Sequence, residues 1–209
     1  VDVAFLYRPD VFKLEGSAAI PFRMPDMPDF RTRDFVTMWG TIEDEPFFFL
    51  VSHWPSRLGG QAASASKRMA AAEQVRAIVD SVQRADPATK VVVMGDLNDD
   101  ATDRSIVEGL RAKGRIGDVG PGDMFNPFIA LLKAGYGSLA YRDDWNLFDN
   151  IIVSDNLATG STGELKIRPV GDTKFYGGIF RRPYMIQKEG QYKGYPLRTF
   201  VGNNFQGGY

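Results

Sequence analysis

Two stretches of the chain are apolar without interruption, Phe47-Phe48-Phe49-Leu50-Val51 and Val91-Val92-Val93-Met94. Runs this short, rich in β-branched and aromatic side chains, predict strands buried on both faces. Patterns of the same kind predict strands over Val1 to Tyr7, Arg33 to Glu43, Phe47 to Ser52 and Asn150 to Ser154. Helical spacing is clearest from Ser64 to Gln83, where Met69, Ala72, Val75, Ile78, Val79 and Val82 recur and Glu73, Arg76 and Asp80 fall on the other side. Such a stripe predicts an amphipathic helix lying on a flat apolar surface. A second helix is expected over Asp103 to Lys113, after the capping chemistry of Asp99-Asp100-Ala101-Thr102, and a short third over Pro127 to Lys133. The proline-rich stretch from Pro21 to Pro28 predicts a surface loop. With no repeat, low-complexity tract or linker in view, we expect one layered α/β domain over residues 1–209, its buried strands covered by helices.

Composition narrows the classes without naming one. At 209 residues, 44% hydrophobic and 24% charged, the sequence can bury a substantial core and is neither disordered nor fibrous in character. No apolar run approaches the roughly 18–20 residues of a membrane helix. The absence of cysteine removes disulfides, thiolate zinc sites and cysteine nucleophiles, and leaves the compartment open between cytoplasmic and exported. A monomer is the expected state. Net charge is −1, so nothing global argues for a nucleic-acid footprint. Locally the picture changes: Asp86 to Asp155 carries twelve acidic and seven basic residues, whereas Glu164 to Tyr209 carries three acidic and eight basic. A carboxylate-rich middle beside a basic segment suits a cation site facing a phosphate, although two ordinary solvated surfaces would look the same.

Three short segments carry candidate chemistry. In Gly95-Asp96-Leu97-Asn98 a buried strand ends at a glycine, and strand alternation would then set Asp96 and Asn98 on one side at the carboxyl rim of a sheet. A carboxylate there can hold a hard cation or accept a proton from water, and a carboxamide can both donate and accept. An Asp/Asn turn after a strand is the plain alternative. In Ser52-His53-Trp54-Pro55-Ser56-Arg57 the single histidine of the chain follows the other buried strand, four residues before an arginine able to grip phosphate with two donors. In Tyr141-Arg142-Asp143-Asp144-Trp145-Asn146-Leu147-Phe148-Asp149-Asn150-Ile151-Ile152-Val153-Ser154, Asp149 stands where an apolar strand begins and could orient a neighbour, cap or form an ion pair. Trp54, Trp145 and Tyr141 could stack on a base or sugar, or belong to the core.

Taken in order, with the long helix between the first two strand ends, these segments resemble the endonuclease/exonuclease/phosphatase superfamily, which includes deoxyribonucleases, abasic-site endonucleases, sphingomyelinases and inositol-polyphosphate phosphatases. Gly-Asp-x-Asn and Asp-x-Ile-x-x-Ser carry the likeness, and Phe5-Leu6-Tyr7-Arg8-Pro9 looks like the early strand of the deoxyribonuclease branch. His-Trp-Pro-Ser-Arg-x-Gly-Gly followed by Tyr-Arg-x-x-Trp-Asn is most similar to uncharacterised bacterial members. The resemblance implies a four-layer α/β/β/α sandwich of two mixed β-sheets flanked by helices. It implies a hydrolase of phosphate esters that depends on Mg²⁺ or Mn²⁺, with water attacking in line. Asp96 would activate or hold the water and serve as a metal ligand, Asn98 would orient water and phosphate, and His53 would contact the phosphate or leaving group. Asp149 would orient the principal catalytic histidine of the family.

Substrate contacts are expected from Arg57, Asn98, Arg142 and Trp145. The substrate classes implied are a small phosphodiester, a nucleic acid or a phosphorylated headgroup. The family's metal-binding glutamate and its terminal Ser-Asp-His motif have no counterpart in this sequence, which we therefore expect to be trimmed at both ends. The competing expectation is a catalytically silent module of the same fold that binds a phosphorylated ligand through Arg57, Arg142 and the basic segment. An unrelated hydrolase is disfavoured, because neither a Gly-x-Ser-x-Gly elbow nor a P-loop is present.

Overall fold

In the computed structural model, which describes residues 3–141, 143–197, 200–201 and 203–205, the two uninterrupted apolar runs lie side by side at the centre of the largest sheet. The strands are β1 (Lys13–Ile20), β2 (Phe35–Ile42), β3 (Glu45–Val51), β4 (Lys90–Asp96), β5 (Ala112–Lys113), β6 (Met124–Phe125), β7 (Leu139–Tyr141), β8 (Asp144–Asn146), β9 (Asp149–Ser154), β10 (Phe200–Val201) and β11 (Asn204–Phe205). Seven form one mixed sheet in the order β1-β2-β3-β4-β9-β6-β5, while β7 with β8 and β10 with β11 make two-stranded ribbons. The α-helices are α1 (Gln61–Ala85), α2 (Phe128–Lys133) and α3 (Asp155–Thr159). The α/β class with a mixed sheet, a small second sheet and helices is therefore present. Among the described residues no helix is long and apolar enough to cross a membrane.

Strands β3 and β4 run parallel, with α1 as the crossover between them, and β9 returns antiparallel beside β4. Their side chains alternate between two cores. Phe48, Leu50, Val91, Val93 and Ile152 face Ala71, Ala72, Val75 and Val79 of α1, while Phe47, Val92 and Val153 face Leu157 and Ala158 of α3. Burial on both faces is what the unbroken apolar runs required, because each successive side chain points to the opposite side. Parallel β3 and β4 thus end together, and β9 begins at that same end; the loops after β3 and β4 and the turn before β9 meet there.

One residue sets the spacing at that end. Gly95 has φ 134°, and a Cβ built on it would overlap the carbonyl oxygen of Ser52 on the neighbouring segment. Only glycine lets the two backbones approach so closely there. Gly95→Ala is expected to lower unfolding free energy by about 2 kcal/mol, combining backbone strain with overpacking, as read by urea denaturation.

Several sequence expectations are corrected. Residues 3–7 form no strand: Phe5 packs edge-on against Phe49 while Leu6 is fully exposed, so the apolar alternation serves packing without a ladder partner. The β1 strand, which is mostly exposed and lacks a buried stripe, went unpredicted. The helix expected from Asp103 to Lys113 is one π-helical turn over Ser105–Gly109, followed by Arg111 at φ 55° and by β5. At its end Gly109 lies so close to α1 that a Cβ there would overlap Ala72 and crowd Met69. On α1, Arg76 is buried instead of lying on the wet side, and it pairs with Asp80 one turn on. The Pro21 to Pro28 segment is irregular as expected, yet Phe22 and Met24 plug into the α1-side core.

Candidate active site

Four of the residues singled out in the sequence meet at the shared end of β3, β4 and β9. Asp96 closes β4 and stands directly opposite Asp149, the first residue of β9, in the antiparallel register. His53 follows β3, and its Nε2 lies 3.7 Å from Asp96 Oδ2. The loop after β3 is stitched to β4 beyond the end of the strand, because the Ser52 amide donates to the Met94 carbonyl and the Trp54 amide to the Asp96 carbonyl, both at 3.0 Å.

Asn98 reaches this group by a route that strand alternation did not foresee. Leu97 is buried, and Asn98 takes the left-handed conformation at φ 51°, which asparagine tolerates better than most residues. Its amide donates to Asp96 Oδ1 at 2.9 Å, so the aspartate side chain folds the chain back on itself. Its Nδ2 donates to the Trp54 carbonyl at 2.9 Å. An Asx turn, rather than an extended chain, therefore brings the carboxylate and carboxamide together, and one of the two amide hydrogens is committed to holding the His53 loop.

The two carboxylates are not electrostatically independent. Burial, then the neighbouring charge of Asp96, push the Asp149 carboxyl above its ordinary value, with His53 pulling the other way. The charge of Asp96 across the strand pair thus adds to the cost of ionising Asp149, and a bound cation would offset that cost. A cavity of about 360 Å³ opens beside Asp96, Phe148 and Asp149, and one of about 390 Å³ also touches Asp149 and is lined by Met94, Phe128 and Trp145 among others.

The remaining expected site residues divide. Trp145 is partly exposed on β8, its ring 5.8 Å from that of Tyr195. Arg142 lies outside the described residues. Arg57 does not present an open fork to solvent: Nε donates to the Asn98 carbonyl at 2.8 Å, Nη1 to Gln61 at 3.2 Å and Nη2 to Asp103 at 2.8 Å. Trp54 is completely buried and belongs to the α1-side core, so it cannot stack on a ligand. Tyr141, on β7, is exposed.

A supporting set was missed from sequence. Buried Asn126 donates to the Oδ1 of buried Asn150, whose own Nδ2 donates to the carbonyls of Leu147 and Phe148 at 3.1 Å, holding the turn that delivers Asp149. Asp100, expected to cap a helix, instead accepts from the Leu147 amide at 2.7 Å. The only sequence signal for these roles was polar residues adjoining apolar runs, which is too common to single them out.

Could these residues hold a divalent cation? Among the described residues no group of three His, Cys, Asp or Glu side chains is gathered. The donor set is two carboxylates facing each other across the β4–β9 pair, with Asp149 raised above its ordinary value by desolvation and then by the charge of Asp96. That fits a hard cation such as Mg²⁺, which is held by one or two carboxylates and fills its other positions with water and phosphate oxygens. It does not fit a closed site built from protein ligands alone.

Comparison with known proteins supports the fold. Human Nocturnin, as the catalytic domain with bound sulfate anion, matches with TM-score 0.50 and 16% identity over 71% of this chain and 50% of that one. Truncated Caenorhabditis elegans TDP2 matches with TM-score 0.49 and 18% identity, over 71% of this chain and 55% of that one. A mannosyl-6-phosphatase of Bacteroides thetaiotaomicron matches with TM-score 0.47 and 19% identity, again over 71% and 55%. The chain thus spans about half the length of these structures. At 16% identity the likeness to Nocturnin is one of fold. No curated protein matches the sequence. The Endonuclease/Exonuclease/phosphatase family profile matches residues 1–209 from end to end, and the chain belongs to that family.

Proposed function

We propose that this chain forms the catalytic core of a divalent-metal-dependent hydrolase of phosphate esters, in which water attacks phosphorus in line. The observation that supports this most is the meeting of Asp96, Asp149, His53 and the Asx-turn residue Asn98 at one sheet end, beside open cavities. Asp96, and Asp149 beside it, would hold the cation, which when bound supplies neutralising charge to the phosphoryl and leaving oxygens.

The chain's own groups do the rest. Asp96 accepts from the Asn98 amide through Oδ1 and has Oδ2 3.7 Å from His53 Nε2, so Oδ2 can orient a water and take its proton. His53, facing the outer oxygen of Asp96, can donate a proton to a phosphoryl or leaving oxygen and recover it from solvent. Asn98 has one amide hydrogen and its Oδ1 left for the phosphate and the water, in a geometry fixed before substrate arrives. No covalent intermediate is needed; placement and charge complementarity carry the acceleration. Trp145 and the cavity it lines would receive the non-reacting part of the substrate, whether nucleoside, sugar or lipid headgroup.

The reading is tested by incubating the protein with plasmid DNA, bis(4-nitrophenyl) phosphate and a set of phosphomonoesters, each with Mg²⁺, with Mn²⁺ and with EDTA. Turnover of at least one substrate is expected with a metal, and loss of that turnover with EDTA. Turnover untouched by EDTA would overturn the metal dependence. Saturable binding of inorganic phosphate without turnover in any arm would overturn the hydrolase reading and leave a silent phospholigand-binding module.

A further inference from the structure

We propose that Arg57 is a positioning residue, a clasp that sets the placement of the three segments carrying His53, Asn98 and Asp149. The inference rests on the site reading above for its catalytic consequence, but its structural content stands on Arg57's own contacts. The guanidinium reaches in three directions. Nε holds the carbonyl of Asn98 at 2.8 Å, at the one residue of that loop in the left-handed conformation. The plane of the group lies over the ring of Phe148, 4.3 Å from its centroid, immediately before Asp149. Nη2 meets Asp103 at 2.8 Å, with Asp99 and Asp100 at 3.4 and 3.5 Å. Arg57 itself stands four residues after His53 on the loop leaving β3.

Each of those contacts is reinforced by a second one that does not involve Arg57. The Phe148 carbonyl accepts from Leu97 at 2.9 Å, and Asp100 accepts from Leu147 at 2.7 Å. Asp103 also accepts from the Asp100 amide at 2.8 Å. The β4 loop and the turn before β9 are thus tied to each other, and Arg57 ties both to the His53 loop. With all three nitrogens holding acceptors within 3.2 Å and the face covered by Phe148, the arginine has its donors turned into the protein. Lysine cannot replace it, since a single ammonium offers neither the planar fork nor the stacking face.

The test compares Arg57→Lys, Arg57→Ala and Asp103→Asn with the unaltered chain. Steady-state kinetics use the substrate turned over in the panel above. The imidazole Cε1–H signal, one resonance because the chain has one histidine, is read at fixed pH with no substrate present. The clasp predicts that kcat falls about tenfold or more in both Arg57 variants, with lysine giving no rescue, and that KM stays within about threefold. It also predicts a displaced or broadened His53 signal, with Asp103→Asn producing smaller changes of the same kind. Should Arg57→Ala fail to fold, Asp103→Asn and Arg57→Lys carry the same test. A KM rise with kcat unchanged, restored by lysine, would make Arg57 a substrate grip instead. A His53 signal at its original position, or a kcat within twofold, overturns the clasp. If no substrate is turned over by the unaltered chain, the hydrolase reading fails alone and the His53 signal still decides the clasp.

Discussion

Asp96→Asn is expected to lower the rate on any substrate the protein hydrolyses by at least about 100-fold, the lower end of what one acid/base group supplies, while leaving the fold intact. The substitution is close to isosteric. An asparagine Oδ1 can still accept from the Asn98 amide, so the Asx turn survives and the change falls on charge and basicity alone. What is lost is the carboxylate that faces His53 Nε2 and stands opposite Asp149. Removing it also removes one of the two causes that hold the Asp149 carboxyl above its ordinary value. Asp149 therefore becomes easier to ionise in the variant, so the acidic limb of any residual pH–rate profile that it governs should move to lower pH. Circular dichroism and thermal unfolding check the fold, and initial rates check the effect. A rate within about threefold of the original, in a folded variant, would remove Asp96 from the mechanism.

How much of this was readable in the residues alone depends on whether one neighbour or many decide each outcome. The central strands β3 and β4 and the long helix between them were legible because burial on two faces leaves an unbroken apolar run and burial on one face leaves a helical stripe. The places of Asp96 and Asp149 followed, since each adjoins such a run. The β1 strand was not legible, because an edge strand exposed on both sides leaves no periodic signal. The length of the segment after Asp103 was not legible either, because it packs against α1, far away in sequence, with no room for a side chain at Gly109. Arg57 and Arg76 misled for one shared reason: arginine reads as free for solvent or ligand in any pattern, yet each of these meets a carboxylate from its own or a neighbouring element. Only the fold reveals such partners, and they decide whether a cation faces water, ligand or protein.

Arg68 gives the largest expected effect on stability. It projects from α1 with no exposed surface, its Nε 2.6 Å from Asp99 Oδ1 in a charge contact not aligned as a hydrogen bond. Its other nitrogens donate to Ser64 Oγ at 2.8 Å and to the Gln61 carbonyl at 3.1 Å. Asp99 accepts from Ser105 at 2.6 Å on its second oxygen. Burial raises the Asp99 carboxyl above its ordinary value in spite of that hydroxyl and of Arg68, so the pair is maintained against a desolvation cost. Arg68→Met leaves the acid buried with only the more distant Arg57, and should cost about 3–5 kcal/mol of unfolding free energy at pH 7. Asp99 would then hold its proton to higher pH than in the original fold. The deficit relative to the original chain is accordingly full at pH values above that new ionisation and shrinks as pH falls through it, because a neutral carboxyl needs no counter-ion. The double variant Arg68→Met/Asp99→Leu removes both charges and should recover most of the loss, since apolar side chains of similar volume replace buried ion pairs at little or no cost. Urea denaturation of the three proteins at pH 5 and pH 7 reads all of this. A single variant as stable as the original, or a double variant no better than the single, would show that the Arg68–Asp99 contact does not anchor the loop carrying Asn98 to α1.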